Sequence, residues 1–449
     1  MSDLFNIGSS AISAYRTALS TVGENVANVE TTGYVRREIR LKESPIVGAI
    51  DPYSTGVARN GGTIVGSVER IWDDYRANDT RLSSADAARA ATRGQWLTSA
   101  EAGLDDGKAG VGAKLTTFFN SATKLAAEPD GTLPRRQVLN ALGDIAGQIR
   151  SSATALNRVS DGIASEATSL TQSINDDLAS MANVNLALNR STVGSPAAAA
   201  LSDERDRLLD TLSNKIGIDA KLDPKGVATV TLAGSTGTTL VSGVDINLVS
   251  VERATNGRIG ISLTGTGVTT IVPTGGAIAG LVDAAALVSN SRTALDGIAK
   301  DFVTGINNWN AGGKTPSGAA GAALMTGTDA ASIALVDPLP TTAIAAAGAT
   351  DGTANGNLAN LSALRGDNGT EARVEALVGG NAQMLASTKA ETSAATSRRD
   401  LAFKARDDVS GVNLDREAAD LMRYQQAYDG SARVLQVAKE TIQTILQLF

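Results

Sequence analysis

The sequence predicts a mainly α-helical, multidomain chain carrying one small antiparallel β domain. Three observations carry that reading. Apolar residues recur at heptad spacing at both ends of the chain. One uninterrupted helical pattern fills the stretch before residue 190. The composition then shifts to Gly, Thr and Val over residues 216–275. The 449 residues are 42% hydrophobic but only 3% aromatic, so the cores must be built from Ala, Leu, Val and Ile. Small apolar residues suit closely packed helices and thin β layers.

Residues 3 to about 28 read as the first helix. Ile12, Tyr15, Leu19, Val22 and Val26 step by three and four along one seam, and Leu4, Ile7, Ala11, Ala14 and Ala18 make a second beside it. Two seams on one short helix call for more than one neighbour, although a two-sided core helix fits the pattern equally well. Residues 33–70 look extended, with "GGTIVGSVERI" as a strand candidate. Helix resumes from Asp73 to about Leu104. After the loop "EPDGTLP", a helix runs from about Arg135 to Leu188, with Leu156, Ile163, Leu170, Ile174, Met181 and Leu188 near heptad spacing. At 1.5 Å per residue it is roughly 80 Å long, which predicts a rod-like helical region.

"SPAAAALSDERDRLLDTLSNKIG" gives one more short helix. Alternation broken by Gly turns over 216–275 predicts a small, outward antiparallel β domain. A helix follows from about Ile278 to Trp309. Residues 311–370 show weak periodicity and are expected to be a loosely built insertion or surface loops. The last segment carries the longest seam: Leu414, Ala418, Leu421, Gln425, Tyr428, Ala432, Leu435, Lys439, Ile442, Leu446 and Phe449. Asn413 is its expected N-cap, with Asp415 and Glu417 in the first turn. Gln425 and Lys439 are then polar positions inside the seam. The expected partition is a terminal helical coiled-coil domain over 1–34 and 405–449, a long-helix middle domain over 35–215 and 278–404, and a β domain over 216–277.

No catalytic set emerges. The chain has no Cys and no His, which excludes thiolate–imidazole zinc sites and Ser-His or Cys-His nucleophile pairs. Asp73-Asp74, Asp105-Asp106 and Asp176-Asp177 are adjacent pairs, and neighbours on a helix do not face each other. "DDGKAGVGAKLT" lacks the residue order of a phosphate-binding loop. Arg36-Arg37 is either a small anion site or, more often for such a pair, a strand edge or an ion-pair donor. The expectation is a non-enzyme without cofactor or metal. The net charge of −7 argues against nucleic-acid binding, and no apolar run is long enough to insert in a membrane. "MSDLFNIGSS" has neither the basic nor the apolar region of a cleavable secretory signal.

The segment "ENVANVETTGYVRREI" carries the most specific signal. By itself Gly33 is a helix-ending glycine, with Tyr34 packing back onto the helix. Together with "GGTIVGSVERIWDDYRAND" and "GVNLDREAADLMRYQQAYDGSARVLQVAKETIQTILQLF", it resembles the axial proteins of the bacterial flagellum, the rod, hook and hook-associated proteins. In that family an Asn-x-x-Thr-x-Gly-Tyr segment follows the first helix, here Asn28, Thr31, Gly33 and Tyr34, and a "QQAYxxSARVL" segment lies in the last. Tyr34 followed by Val35-Arg36-Arg37 is similar to the turn of the hook-associated members that join hook to filament; hook and rod proteins more often carry Phe with a Lys nearby.

The resemblance implies a structural, self-assembling subunit at the hook tip. Its terminal helices would pair and pack against neighbouring copies through Ile12, Leu19, Val22, Val26, Leu414, Leu421, Tyr428, Leu435, Ile442 and Leu446, in a ring or tubular homo-oligomer. Implied partners are the hook protein, the neighbouring hook-associated protein on the filament side and an export chaperone. The implied location is extracellular, on the flagellum, reached without signal cleavage. Another axial protein (hook or distal rod) and a secreted coiled-coil binding protein are the alternatives. Each terminal helix buries little alone, so both ends are expected to be unpaired in an isolated chain.

Overall fold

The computed structural model describes residues 2–31, 33–44, 62–104, 107–235, 237–265, 268–350, 352–366 and 369–447. In chain order they form α1 (Ser2–Ala27), β1 (Arg37–Glu43), β2 (Thr63–Arg70), α2 (Asp74–Leu104), α3 (Val111–Ala127), α4 (Thr132–Arg190) and α5 (Pro196–Lys215). Seven strands follow: β3 (Ile218–Leu222), β4 (Ala228–Leu232), β5 (Thr239–Ser242), β6 (Asp245–Ile246), β7 (Leu248–Arg253), β8 (Ile259–Thr264) and β9 (Val268–Ile271). Then come α6 (Gly276–Ala311), the two-residue strands β10 (Gly313–Lys314), β11 (Met325–Thr326), β12 (Ala334–Leu335) and β13 (Ala347–Gly348), and α7 (Gly356–Ala359). The last two elements are α8 (Thr370–Ser410) and α9 (Leu414–Leu446). The architecture is mainly helical with small antiparallel sheets, as expected.

Contacts group the chain into two compact units. The first comprises Met1–Ala85, Ile174–Leu248 and Thr396–Phe449; the second comprises Asp86–Ser173 and Val249–Ala395. The division falls within α2, α4 and α8. A helix is one continuous hydrogen-bonded ladder and can give different stretches to different cores. The 59 residues of α4 make it about 88 Å long. Residues 216–277, expected as one β domain, instead form two sheets. The order β3-β4-β5-β6 belongs to the first unit, and β7-β8-β9 to the second apart from Leu248. Asn185 of α4 anchors the first sheet: its amide donates 2.9 Å bonds to the carbonyls of Ala228 and Gly243, and its oxygen accepts from Ala228 N.

The second unit is built on helix faces. Leu115, Phe118 and Leu125 of α3, Leu142, Ile145, Ile149, Leu156 and Ile163 of α4, and Phe302 of α6 are all fully or almost fully buried. Phe118 meets Phe302 edge-on, with ring centroids 6.3 Å apart. Residues 311–370 are not loosely built. Leu324, Ala330, Ile333, Ile344, Ala345 and Ala346 have no solvent exposure. Their backbone is tied to two buried amides. Asn310 donates to the carbonyls of Ala322 and Ala343 and accepts from Ala345 N. Asn357 donates to the carbonyls of Trp309 and Ala345. Polar anchors replace the apolar periodicity that a sequence reading looks for.

Candidate assembly surface at the chain ends

Both terminal helices lie in the first unit and pair within one chain, so the expectation that each is unpaired when isolated is replaced. Ala18 and Val22 of α1, Ile39 and Val68 of the β1–β2 hairpin and Tyr424 of α9 share one buried cluster, with Tyr15, Leu19 and Leu421 packed against it. The Tyr15 and Tyr424 rings stand 6.4 Å apart. Further along, Gly8 admits the partner backbone: a Cβ there would lie 3.2 Å from Leu435 Cβ and 3.3 Å from Leu435 N. Asn413 caps α9 by accepting from Asp415 N and Arg416 N.

The seam of α9 differs from the predicted one by one position. Leu421, Tyr428, Leu435 and Ile442 are half-buried, but the positions alternating with them are Glu417, Tyr424, Ser431 and Ala438. Gln425 and Lys439, expected inside the seam, are exposed. Tyr424 has more apolar surface to bury than Gln425, Ala438 carries no charge to desolvate, and the one charge this turn does bury, Glu417, is paired with Arg36, so turning the helix by one residue is the lower-energy choice. On α1, Val22 is buried, Ile12 and Leu19 half-buried and Val26 exposed. Leu414 is exposed. The Leu446 side chain and Phe449 lie outside the described residues. The pair therefore still displays large apolar side chains: Leu4 and Phe5 at the start of α1, Val26 at its end and Val29 just beyond it, and Leu414, Met422, Val434 and Val437 on α9.

The motif turn closes the first helix. Asn28 N and Nδ2 both donate to Glu24 O, Thr31 Oγ1 donates to Asn28 Oδ1, and Tyr34 N donates to Thr31 O. Gly33 has φ +82°, the left-handed geometry that favours glycine. Tyr34 swings back, and its hydroxyl donates to Asn25 Oδ1 at 2.8 Å. Burial pushes the Tyr34 hydroxyl up to about 12, against a smaller opposing pull from Arg37. Asn25 is the hub. It accepts from Arg37 N and donates to Arg37 O and to Glu417 Oε2, so one buried amide joins α1, β1 and α9.

Arg36 and Arg37 are ion-pair donors, one of the two readings left open. Arg36 Nε lies 2.7 Å from Glu417 Oε1. Arg37 lies 2.7 Å from Asp203 on α5, which also accepts Arg70 Nε at 2.8 Å. One turn on, Asp206 meets Arg70, Arg81 and Arg205, and Asp210 meets Arg81 and Arg406. Trp72 lies under Arg70 and Arg81, with guanidinium carbons 5.0 and 5.8 Å from its ring centre. Burial pushes the Asp206 carboxyl up, but Arg205, Arg70 and Arg81 together outweigh it and hold the carboxyl below its ordinary value of 3.8. The sequence reading missed Asn25, Arg70, Arg81, Asp203, Asp206, Asp210 and Arg406. The signal was the spacing of three aspartates along "LSDERDRLLD", which puts them on one helix face.

This arrangement holds α1, α2, α5, α8, α9 and the β1–β2 hairpin together. A cavity of about 50 Å³ lies beside Gly33, Tyr34, Trp72, Asp206 and Arg406, and a wider cleft of about 840 Å³ runs along Arg70, Trp72, Ser195 and Asp223. Among the described residues, no three metal-ligating side chains come together, and no helix is long and apolar enough to cross a membrane.

Comparison with known proteins agrees along the chain. The family model of the flagellar hook-associated protein FlgK helical domain matches residues 97–325. The ends match two other models: flagella basal body rod protein over 5–34, and the C-terminal region of flagellar basal body rod FlgEFG protein over 408–448. The chain is 24% identical to flagellar hook-associated protein 1 of Bacillus subtilis (strain 168), over 97% of this chain and 96% of that protein. It is 26% identical to flagellar hook-associated protein 1 of Salmonella typhimurium over 54% of this chain but 43% of that protein, so the match spans less than half of that relative. A solved structure, the flagellar hook junction protein FlgK from Burkholderia pseudomallei, shares the fold at 20% identity and a TM-score of 0.50, covering 56% of this chain and 46% of that one.

Proposed function

The chain belongs to the flagellar hook-associated protein FlgK family, and from that premise we propose that it is a structural subunit of the bacterial flagellum, assembling at the hook tip as the junction between hook and filament. The match over 97–325 supports this reading over a hook or distal rod protein, because only the two ends match rod-protein models.

The observation that carries the mechanism is the paired α1 and α9 with apolar side chains still exposed on both. Pairing within the chain offsets part of the ordering entropy before assembly. The exposed Val26, Leu414, Met422 and Val437 then bury against neighbouring copies, in a ring or tube whose inner wall the terminal helices form. Hook protein lies on one side, and the next hook-associated protein, towards the filament, on the other. Export proceeds without signal cleavage, with a chaperone covering the apolar ends until delivery. Asn25, Arg36 and Glu417 fix the angle at which the terminal pair leaves the rest of the first unit.

Electron microscopy of flagella from a deletion strain tests the reading. Hooks without filaments, with filament protein in the medium and rescue by the natural chain, are expected. Intact filaments in the deletion strain would overturn it.

A further inference from the structure

We infer that Gly379 and Gly380 form a hinge in α8, about which the first stretch of the helix, residues 370–378, closes towards α3 while the stretch after the glycines stays in place. These two are the only glycines of α8. Both are exposed, and a methyl group at either would meet nothing within 4 Å among the described residues. Neither a close approach nor a positive φ therefore calls for glycine here. A glycine inside a helix weakens it relative to alanine, and paired small residues of this kind are a recurrent site of helix bending.

The helix is held on both sides of the glycines but not at them. Before them, Thr370 and Val374 are buried, and the ion pairs Arg365–Glu371 and Arg373–Asp301 are partly exposed. Exposed ion pairs contribute little. After them, Leu385, Thr388 and Ala395 are buried, and Arg93 of α2 pairs with Glu391. Gly94 of α2 lies against the same stretch: a Cβ there would stand 3.3 Å from Thr388 Cγ2. The first stretch is thus the lightly held one, and it has room to move. A groove of about 500 Å³ separates it from α3, lined by Gly112 and Thr116 of α3 and by Val374, Glu375, Val378 and Gly379 of α8. Next to the glycines, Asn381 Nδ2 is buried without a hydrogen-bond partner among the described residues. An orphaned donor is costly in the straight helix, and a bend at Gly379 and Gly380 gives water access to it. Bending narrows the groove, so the second unit exchanges between two surface shapes.

The chain has no cysteine, so pairs of spin labels on introduced cysteines read the hinge cleanly. Labels on Thr116→Cys and Glu375→Cys, two exposed positions across the groove, are expected to give two distances in the full-length chain by pulsed electron paramagnetic resonance. Labels on Thr116→Cys and Ser387→Cys, the latter exposed and beyond the glycines, are expected to give one. Gly379→Ala with Gly380→Ala lowers the fraction at the shorter Thr116–Glu375 distance about tenfold, since both alanines favour the straight helix. A single distance for the first pair, or a fraction indifferent to the alanines, overturns the hinge. Two distances for both pairs also overturn it, because α8 then detaches as a whole instead of bending.

Discussion

Arg36 and Glu417, 381 residues apart in sequence, form an ion pair with Nε 2.7 Å from Oε1 and side chains only 4% and 1% exposed. Arg36 N also donates to Ser410 O, and Glu417 also accepts from Asn25. Removing one partner leaves a buried charge unpaired, at a cost of about 3–5 kcal/mol. Arg36→Ala is expected to release α9 from the first unit. Amide hydrogen exchange over 414–446 should speed up, with little change in the second unit. Unchanged exchange in α9 would show that the apolar cluster alone holds the helix.

Tyr34 gives an alkaline signature. Burial raises its pKa to about 12, above the ordinary value of 10.0. A raised folded-state value means that the contribution is fully present below pH 10 and is lost as pH rises from 10 towards 12. Tyr34→Phe keeps the ring, loses the bond to Asn25 and costs about 1 kcal/mol at neutral pH. It should also flatten the fall in stability between pH 10 and 12. Urea melts of the two proteins across that range check both.

Asp206 gives the acid counterpart. Burial opposes its charge, but Arg205, Arg70 and Arg81 win and depress the folded-state pKa below 3.8. A depressed value contributes stability that is present above the unfolded pKa and is lost as pH falls through the folded one. Stability of the first unit should therefore be flat in this group above about pH 5 and decline below about pH 4. Asp206→Asn should be less stable at pH 7, with a shallower acid limb in the same melts.

The helices were legible because their apolar residues repeat. The motif turn was legible because Asn28, Thr31, Gly33 and Tyr34 each have a local role. α8 was not legible: its buried face includes Asn381 and Thr388 beside Val374, Leu385 and Ala395, so no apolar stripe marks it. α3 has such a stripe but lies behind a Gly-rich loop that reads as irregular. The Asp203–Asp206–Asp210 face was visible as spacing, but apart from Arg205 beside Asp206 the arginines that meet it come from β1, β2, α2 and α8. Such long-range pairing leaves no local trace. The one-position turn of α9 depends on what α1 and the hairpin offer opposite Tyr424, which no property of α9 alone reports.

Asn310 is fully buried and makes three bonds to backbone within residues 311–370. Asn310→Leu leaves two carbonyls and one N–H without partners, each costing about 1–3 kcal/mol. Residues 313–348 should become sensitive to protease while the first unit keeps its exchange protection. Full protease resistance would mean that Asn357 and the buried apolar residues suffice.

Leu435 lies where α9 approaches α1 at Gly8, whose added Cβ would stand 3.2 Å from Leu435 Cβ. It is half-buried in the single chain, so a neighbouring copy can cover the remainder. Burying one Leu contributes about 1.5–3 kcal/mol, and charge in its place reverses that sign. Leu435→Asp is therefore expected to separate α1 from α9 at this end and to abolish incorporation into flagella, and motility with it. The melting temperature of the second unit should be almost unchanged, because none of its residues depends on this pair. Gly8→Val tests the same approach from the other side, since its added carbons crowd the Leu435 backbone and should weaken incorporation without adding charge. Gln436→Asp, at an exposed position beside Glu440, serves as the tolerated control. Normal motility with Leu435→Asp, or a collapse of the second unit in that variant, would remove the terminal pair as the assembly surface.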